Sequence, residues 1–150
     1  MAEQRSELIK ACRDYLQTRI HIVKNAMEGL KDDLENESKS SAGDKFETGR
    51  EMINIEWNKL SVQLNEYDRL NHILHRIEDH KPTENVVLGS LVFTDKANYF
   101  LSIPAGEIIA GKHKFYAIGI LAPIAQLLIG KKAGEKINFN GREFKILEII

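Results

Sequence analysis

Two carboxylates three residues apart, Asp44 and Glu47, stand in the short polar stretch Lys39-Ser-Ser-Ala-Gly-Asp-Lys-Phe-Glu47. Such a pair can do two kinds of work. It can present carboxylate oxygens outward to another molecule. It can also cap a helix: Asp44-x-x-Glu47 has the spacing of a capping box, where the acid at the cap and the Glu three residues on satisfy free backbone N–H groups. Spacing leaves both open, because a carboxylate at an exposed tip still has oxygens facing outward.

The flanking sequence would hold such a tip at the end of a rod. Before it, apolar or small residues fall at Ile9, Cys12, Leu16, Ile20, Val23, Met27, Leu30 and Leu34, a seam repeating about every 3.5 residues. After it, Ile53, Trp57, Leu60, Leu64, Tyr67, Leu70, Leu74 and Ile77 repeat the pattern. Helices of thirty-odd residues span about 50 Å. Each stripe is narrow and needs a partner, and the short break makes the other helix the nearest one. Residues 1–80 are therefore expected to form an antiparallel coiled-coil hairpin with an acidic tip near 37–47. Ser38, Ser40, Ser41 and Gly43 disfavour helix interior and end the first helix. Asp44 is the expected N-cap of the second.

Other polar residues have plainer readings. Asp32, Asp33, Glu35 and Glu37 make a solvated acidic face that adds negative potential near the tip. His72 and His75 lie one turn apart with His80 beyond, but a metal would need a third ligand on the same face. Near a helix C-terminus, histidines are favoured by the dipole. The single Cys12 lies inside the apolar seam and fits a reducing compartment. No apolar run approaches the roughly 18–20 residues of a membrane span, so a cytoplasmic protein is expected. Residues 1–80 hold 12 Lys/Arg and 16 Asp/Glu, and residues 81–150 hold 9 and 6. That split from acidic to basic suggests two modules, while the overall net charge of −1 does not suggest non-specific nucleic-acid binding.

Pro82 stops the helical pattern, and residues 81–150 read as short strands. Strand-like runs are Val86–Thr94, Tyr99–Ile103 and Lys114–Gly119, with turns at 95–98 and 104–106. Pro123 to Leu128 suits a short helix with Pro at its start. Ile137–Phe139 and Phe144–Ile149 flank Asn140-Gly141, the strongest short signal for a type I′ hairpin. The order Phe144, Ile146, then Leu147 and Ile149 implies a strand that shifts phase or is buried on both faces. The expected fold is α+β: the helical hairpin, then a small antiparallel sheet with one short helix. Gly130-Lys131-Lys132 lacks the second glycine and the Ser/Thr of a phosphate loop. No Ser/His/Asp set has a local signature, so no self-contained active site is expected.

The segment Leu121-Ala-Pro-Ile-Ala-Gln-Leu-Leu-Ile-Gly-Lys-Lys-Ala-Gly-Glu-Lys-Ile137, closing in Arg142-Glu-Phe-Lys-Ile-Leu-Glu-Ile149, resembles the C-terminal domain of the Gre family of bacterial transcript-cleavage factors. Ala122-Pro123 stands for the family's Ser-Pro and Gly134-Glu135 for its Gly-Asp; Gly89-Ser90 also fits. The resemblance implies an FKBP-like domain that docks on RNA polymerase, with Pro123 and Ile124 at the contact by analogy. It implies a coiled coil that enters the polymerase's secondary channel. There Asp44, supported by Glu47, would help hold the second catalytic magnesium, so that the polymerase cleaves backtracked RNA. The chain would be no enzyme itself and need no cofactor of its own. Magnesium, the RNA 3′ end and DNA would be met only through the polymerase, and a hairpin satisfying its own seam can be a monomer.

The family tip reads Gly-Asp-x-x-Glu-Asn-Ala-Glu/Asp-Tyr. Gly43, Asp44 and Glu47 match it; Thr48, Arg50 and Glu51 replace the Asn, the acid and the Tyr. These departures admit an alternative, a Gre-related secondary-channel regulator that does not promote cleavage. Outside the resemblance stand a coiled-coil adaptor and an FKBP-like prolyl isomerase, the latter needing an aromatic pocket from Phe93, Phe100, Phe115 and Tyr116.

Overall fold

The computed structural model describes the backbone of residues 2–38 and 43–150 and the side chains of 3–36 and 48–150. Two long helices come first, α1 (Ala2–Ser38) and α2 (Gly43–Ile77). They are followed by β1 (Leu91–Thr94), β2 (Asn98–Leu101), β3 (Gly106–Ala110), β4 (His113–Ile118), α3 (Pro123–Leu128), β5 (Lys136–Phe139) and β6 (Arg142–Ile149). The α+β order expected from the sequence is the order found. The chain divides into two compact units. One holds residues 1–15 and 70–150, the other residues 16–69.

The first unit is built on a six-stranded sheet of order β3-β4-β2-β1-β6-β5. Four of its pairings are antiparallel, as expected, and β2 with β4 is parallel. The strand β3 was expected as a turn and the segment after it. It is an edge strand whose Gly-Glu-Ile-Ile-Ala carries no clean period-2 alternation, so its local pattern gives no strand signal. The first expected strand also starts later, at Leu91 rather than Val86. Gly89 has φ +96°, a conformation that breaks an extended run and suits glycine.

Cross-strand registers sort the side chains onto two faces. Val92, Leu101, Phe144, Ile146 and Ile137 pack with Leu128 of α3 in one cluster. On the opposite face, Phe100 and Phe115 are fully buried under the first turns of α1. Arg5 lies 6.0 Å over the Phe100 ring and donates to the carbonyls of Gly89 (2.7 Å) and Ile150 (3.2 Å). Burial lowers the pKa of this guanidinium. Glu7 accepts from the Gly111 N–H at 3.1 Å, and Arg13 pairs with Glu78. Cys12 sits 3.9 Å from the Ser102 hydroxyl, and burial pushes its thiol up to about 11. It is a buried structural thiol, as its seam position implies. With both faces covered, β1 and β2 carry consecutive apolar residues where a half-exposed sheet would alternate.

The hairpin reading of Asn140-Gly141 holds: both residues have positive φ, 53° and 78°, as a type I′ turn requires. The phase change along β6 has a cause too. The register with β1 slips between Phe93 and Thr94, which pair with Glu148 and Ile146. This bulge turns Leu147 out to 55% exposure and returns Ile149 to the core face occupied by Ile146.

In the second unit, α1 and α2 contribute a seam at the expected positions. Leu16 and Val23 are buried; Ile20, Met27, Leu30, Leu34, Ile53, Leu60, Leu64 and Tyr67 are half-buried. Leu30, Lys31 and Leu34 share one cleft with Ile53, Asn54 and Trp57. Residues late in α1 thus meet residues early in α2, as an antiparallel pair requires.

Candidate functional site

Seam spacing and helix ends position the acidic stretch. α1 runs unbroken to Ser38 and α2 starts at Gly43. Asp44 therefore lies inside the first turn of α2, not at the cap position expected for it. Position 47 follows one turn later. The side chains of Asp44, Glu47 and Glu37 lie outside the described residues, as do residues 39–42. An acid in the first turn of a helix is favoured by the dipole, whichever further role it has.

The described flanks are open to solvent. Asp32, Asp33 and Glu35 on α1 and Thr48, Arg50 and Glu51 on α2 are exposed. The acidic run is thus a solvated face through Glu35. Arg50 places an exposed cation two turns into α2.

The histidines do not converge. His72 is exposed, His75 lies 3.8 Å from Glu78, and His80 is half-buried beside Gly89. Burial, with Arg5 nearby, lowers the pKa of His80, and its Nε2 is buried without a partner among the described residues. Among the described residues no three His, Cys, Asp or Glu side chains are grouped to hold a metal. No helix there is long and apolar enough to cross a membrane.

At the expected docking surface, Pro123 is exposed at the first position of α3 and Ile124 packs partly against the core. Sequence reasoning missed the neighbour that stands out: Leu121 is 80% exposed, with Leu127 also exposed on α3. A leucine in an apolar run gives no signal of facing outward. The aromatic pocket that a prolyl isomerase would need does not assemble from Phe93, Phe100, Phe115 and Tyr116. Phe93 and Phe115 meet edge to face at 5.4 Å on the side facing α1, together with Phe100, whereas Tyr116 lies on the opposite face beside Tyr99.

The cleft in the second unit was also missed. It has a volume of about 340 Å³, apolar walls from Leu30, Leu34, Ile53 and Trp57, and two polar groups, Lys31 and Asn54. Its sequence signal was available: a bulky indole at a seam position that a two-helix coil cannot cover, which leaves Trp57 38% exposed.

No family model matches the chain, and no curated protein matches it. Among solved structures, the chain matches the crystal structure of GreA factor homolog 1 (Gfh1) of Thermus thermophilus at 17% identity and a TM-score of 0.36. That match covers 91% of this chain and 93% of the other.

Proposed function

We propose that the protein is a transcription factor that binds bacterial RNA polymerase through its secondary channel and stimulates cleavage of backtracked RNA. The observation that carries this reading is the acid pair at the junction of two long helices. Asp44 lies in the first turn of α2 and Glu47 one turn further on, in a chain that continues into a sheet domain. The sequence resemblance of residues 121–137 and 142–149 to the Gre family supports the same reading.

The donor set fits a magnesium ion shared with a partner. Two carboxylates supply hard oxygen ligands, and magnesium is ordinarily held by one or two carboxylates with the remaining positions left to water and phosphate. Asp44 would hold the ion and Glu47 would support it. When bound, the magnesium lowers the pKa of water and stabilises the oxygens of an in-line displacement. This chain's part is to deliver negative charge to the polymerase's active site, which performs the hydrolysis. Pro123, with Leu121 and the exposed part of Ile124, would anchor the sheet domain on the polymerase.

One observation favours a second reading. Arg50 is exposed near the acids and would oppose cation binding, which suits a secondary-channel regulator that does not promote cleavage. Purified protein added to a stalled, backtracked polymerase complex separates the two. Faster RNA cleavage that Asp44→Asn abolishes while binding persists supports the first. Binding without faster cleavage establishes the second, and absence of polymerase binding leaves only an adaptor role.

A further inference from the structure

The cleft of the two-helix unit combines features that no role at the acidic stretch uses. Its floor and walls are apolar, one wall is the half-open indole of Trp57, and its polar groups are one amide and one cation. Neither Lys31 nor Asn54 has a partner among the described residues, so both can serve a ligand. The volume of about 340 Å³ falls at the lower end of small-ligand sites, roughly 300–1,000 Å³. An aromatic plate suits a nucleobase, which stacks on any π-face. An asparagine amide, donor and acceptor together, matches the edge of adenine. A lysine matches a phosphate as a point charge.

From this we infer that the cleft binds a purine mononucleotide, its base against Trp57, its edge at Asn54 and its phosphate at Lys31. The surroundings limit the phosphate count. Glu28, Asp32, Asp33, Glu35, Glu51 and Glu56 are exposed on the same stretches of α1 and α2, against two cations, the lining Lys31 and the exposed Arg50. Each further phosphate adds repulsion from these carboxylates. A monophosphate is therefore preferred to a triphosphate in metal-free buffer. The inference does not depend on the polymerase reading.

Trp57 is the only tryptophan in the chain, so its fluorescence reports the cleft directly. The full chain is titrated with AMP and with ATP, exciting at the red edge of the indole band where purines do not absorb. The expected result is saturable quenching by AMP with a Kd on the order of 1 mM or tighter, and binding of ATP about tenfold weaker. Lys31→Ala and Asn54→Ala, both at exposed positions off the seam, are each expected to weaken AMP about tenfold with helix content by circular dichroism unchanged. Absence of saturable quenching overturns the inference. So do ATP binding as tight as AMP, binding that survives both substitutions, and quenching by single-stranded oligonucleotides but not by AMP.

Discussion

The same seam spacing runs through both units, yet it produces different burial. In the unit that contains the sheet, Leu8, Ile9, Cys12, Leu70, Leu74 and Ile77 are all buried. In the two-helix unit, the described seam positions beyond Val23 on α1 and before Leu70 on α2 are half-buried or exposed. The cause is the number of layers. Two helices alone cover one narrow stripe, whereas the first turns of α1 also lie on a sheet face that buries Phe100 and Phe115. Stability thus concentrates where the helices meet the sheet. The stretch of seam near the acids is held more weakly, the condition for local opening at low free energy.

This contrast can be broken at single leucines. Leu74→Ala, at a fully buried position, is expected to cost about 2–5 kcal/mol in denaturant unfolding. Leu60→Ala, at a half-buried seam position of the other unit, is expected to cost about 1 kcal/mol. Equal losses would show that burial does not separate the units.

The next effect is at Arg5. Arg5→Met keeps much of the apolar stem and removes both hydrogen bonds to the Gly89 and Ile150 carbonyls, an expected loss of about 1.5–3 kcal/mol. A loss confined to a few tenths would mean that stem packing, not the charged bonds, fastens α1 to the sheet.

The smallest effect is pH dependence at His80. Its folded pKa is depressed, so the unfolded chain binds the proton more readily. The stability from neutral His80 is fully present above its ordinary value of 6.5 and is lost as pH falls through it toward the folded pKa. The acidic limb of a stability–pH profile should flatten in His80→Gln. An unchanged limb would assign the slope to other groups.

Much of the fold was legible because its signals are local. The 3.5-residue seam from Ile9 to Leu34, the proline opening α3 and the Asn140-Gly141 turn each state their structure within a few residues. Even the slip at Leu147 left a trace in the pattern of β6. What was not legible is non-local. The parallel pairing of β2 with β4 is set by partners outside each strand's own sequence, and the edge strand β3 lacks alternation, with adjacent Ile108 and Ile109 of which Ile109 stands 68% exposed. At the candidate site, the acids were legible from type and spacing, but the start of α2 at Gly43 rather than after Asp44 was not, since helix ends shift by a residue or two without changing the pattern. Leu121 and the Trp57 cleft were hidden for the opposite reason. Both lie in sequence that reads as core, and only packing shows what is left uncovered.

The central claim, that the acids after the helix junction serve another protein's active site, is tested most directly by transcript cleavage in a backtracked RNA polymerase complex. Wild-type protein is expected to accelerate cleavage, and Asp44→Asn to remove that acceleration while polymerase binding and the melting temperature stay unchanged. Acceleration that survives Asp44→Asn, or its absence in the wild type despite binding, would contradict the claim.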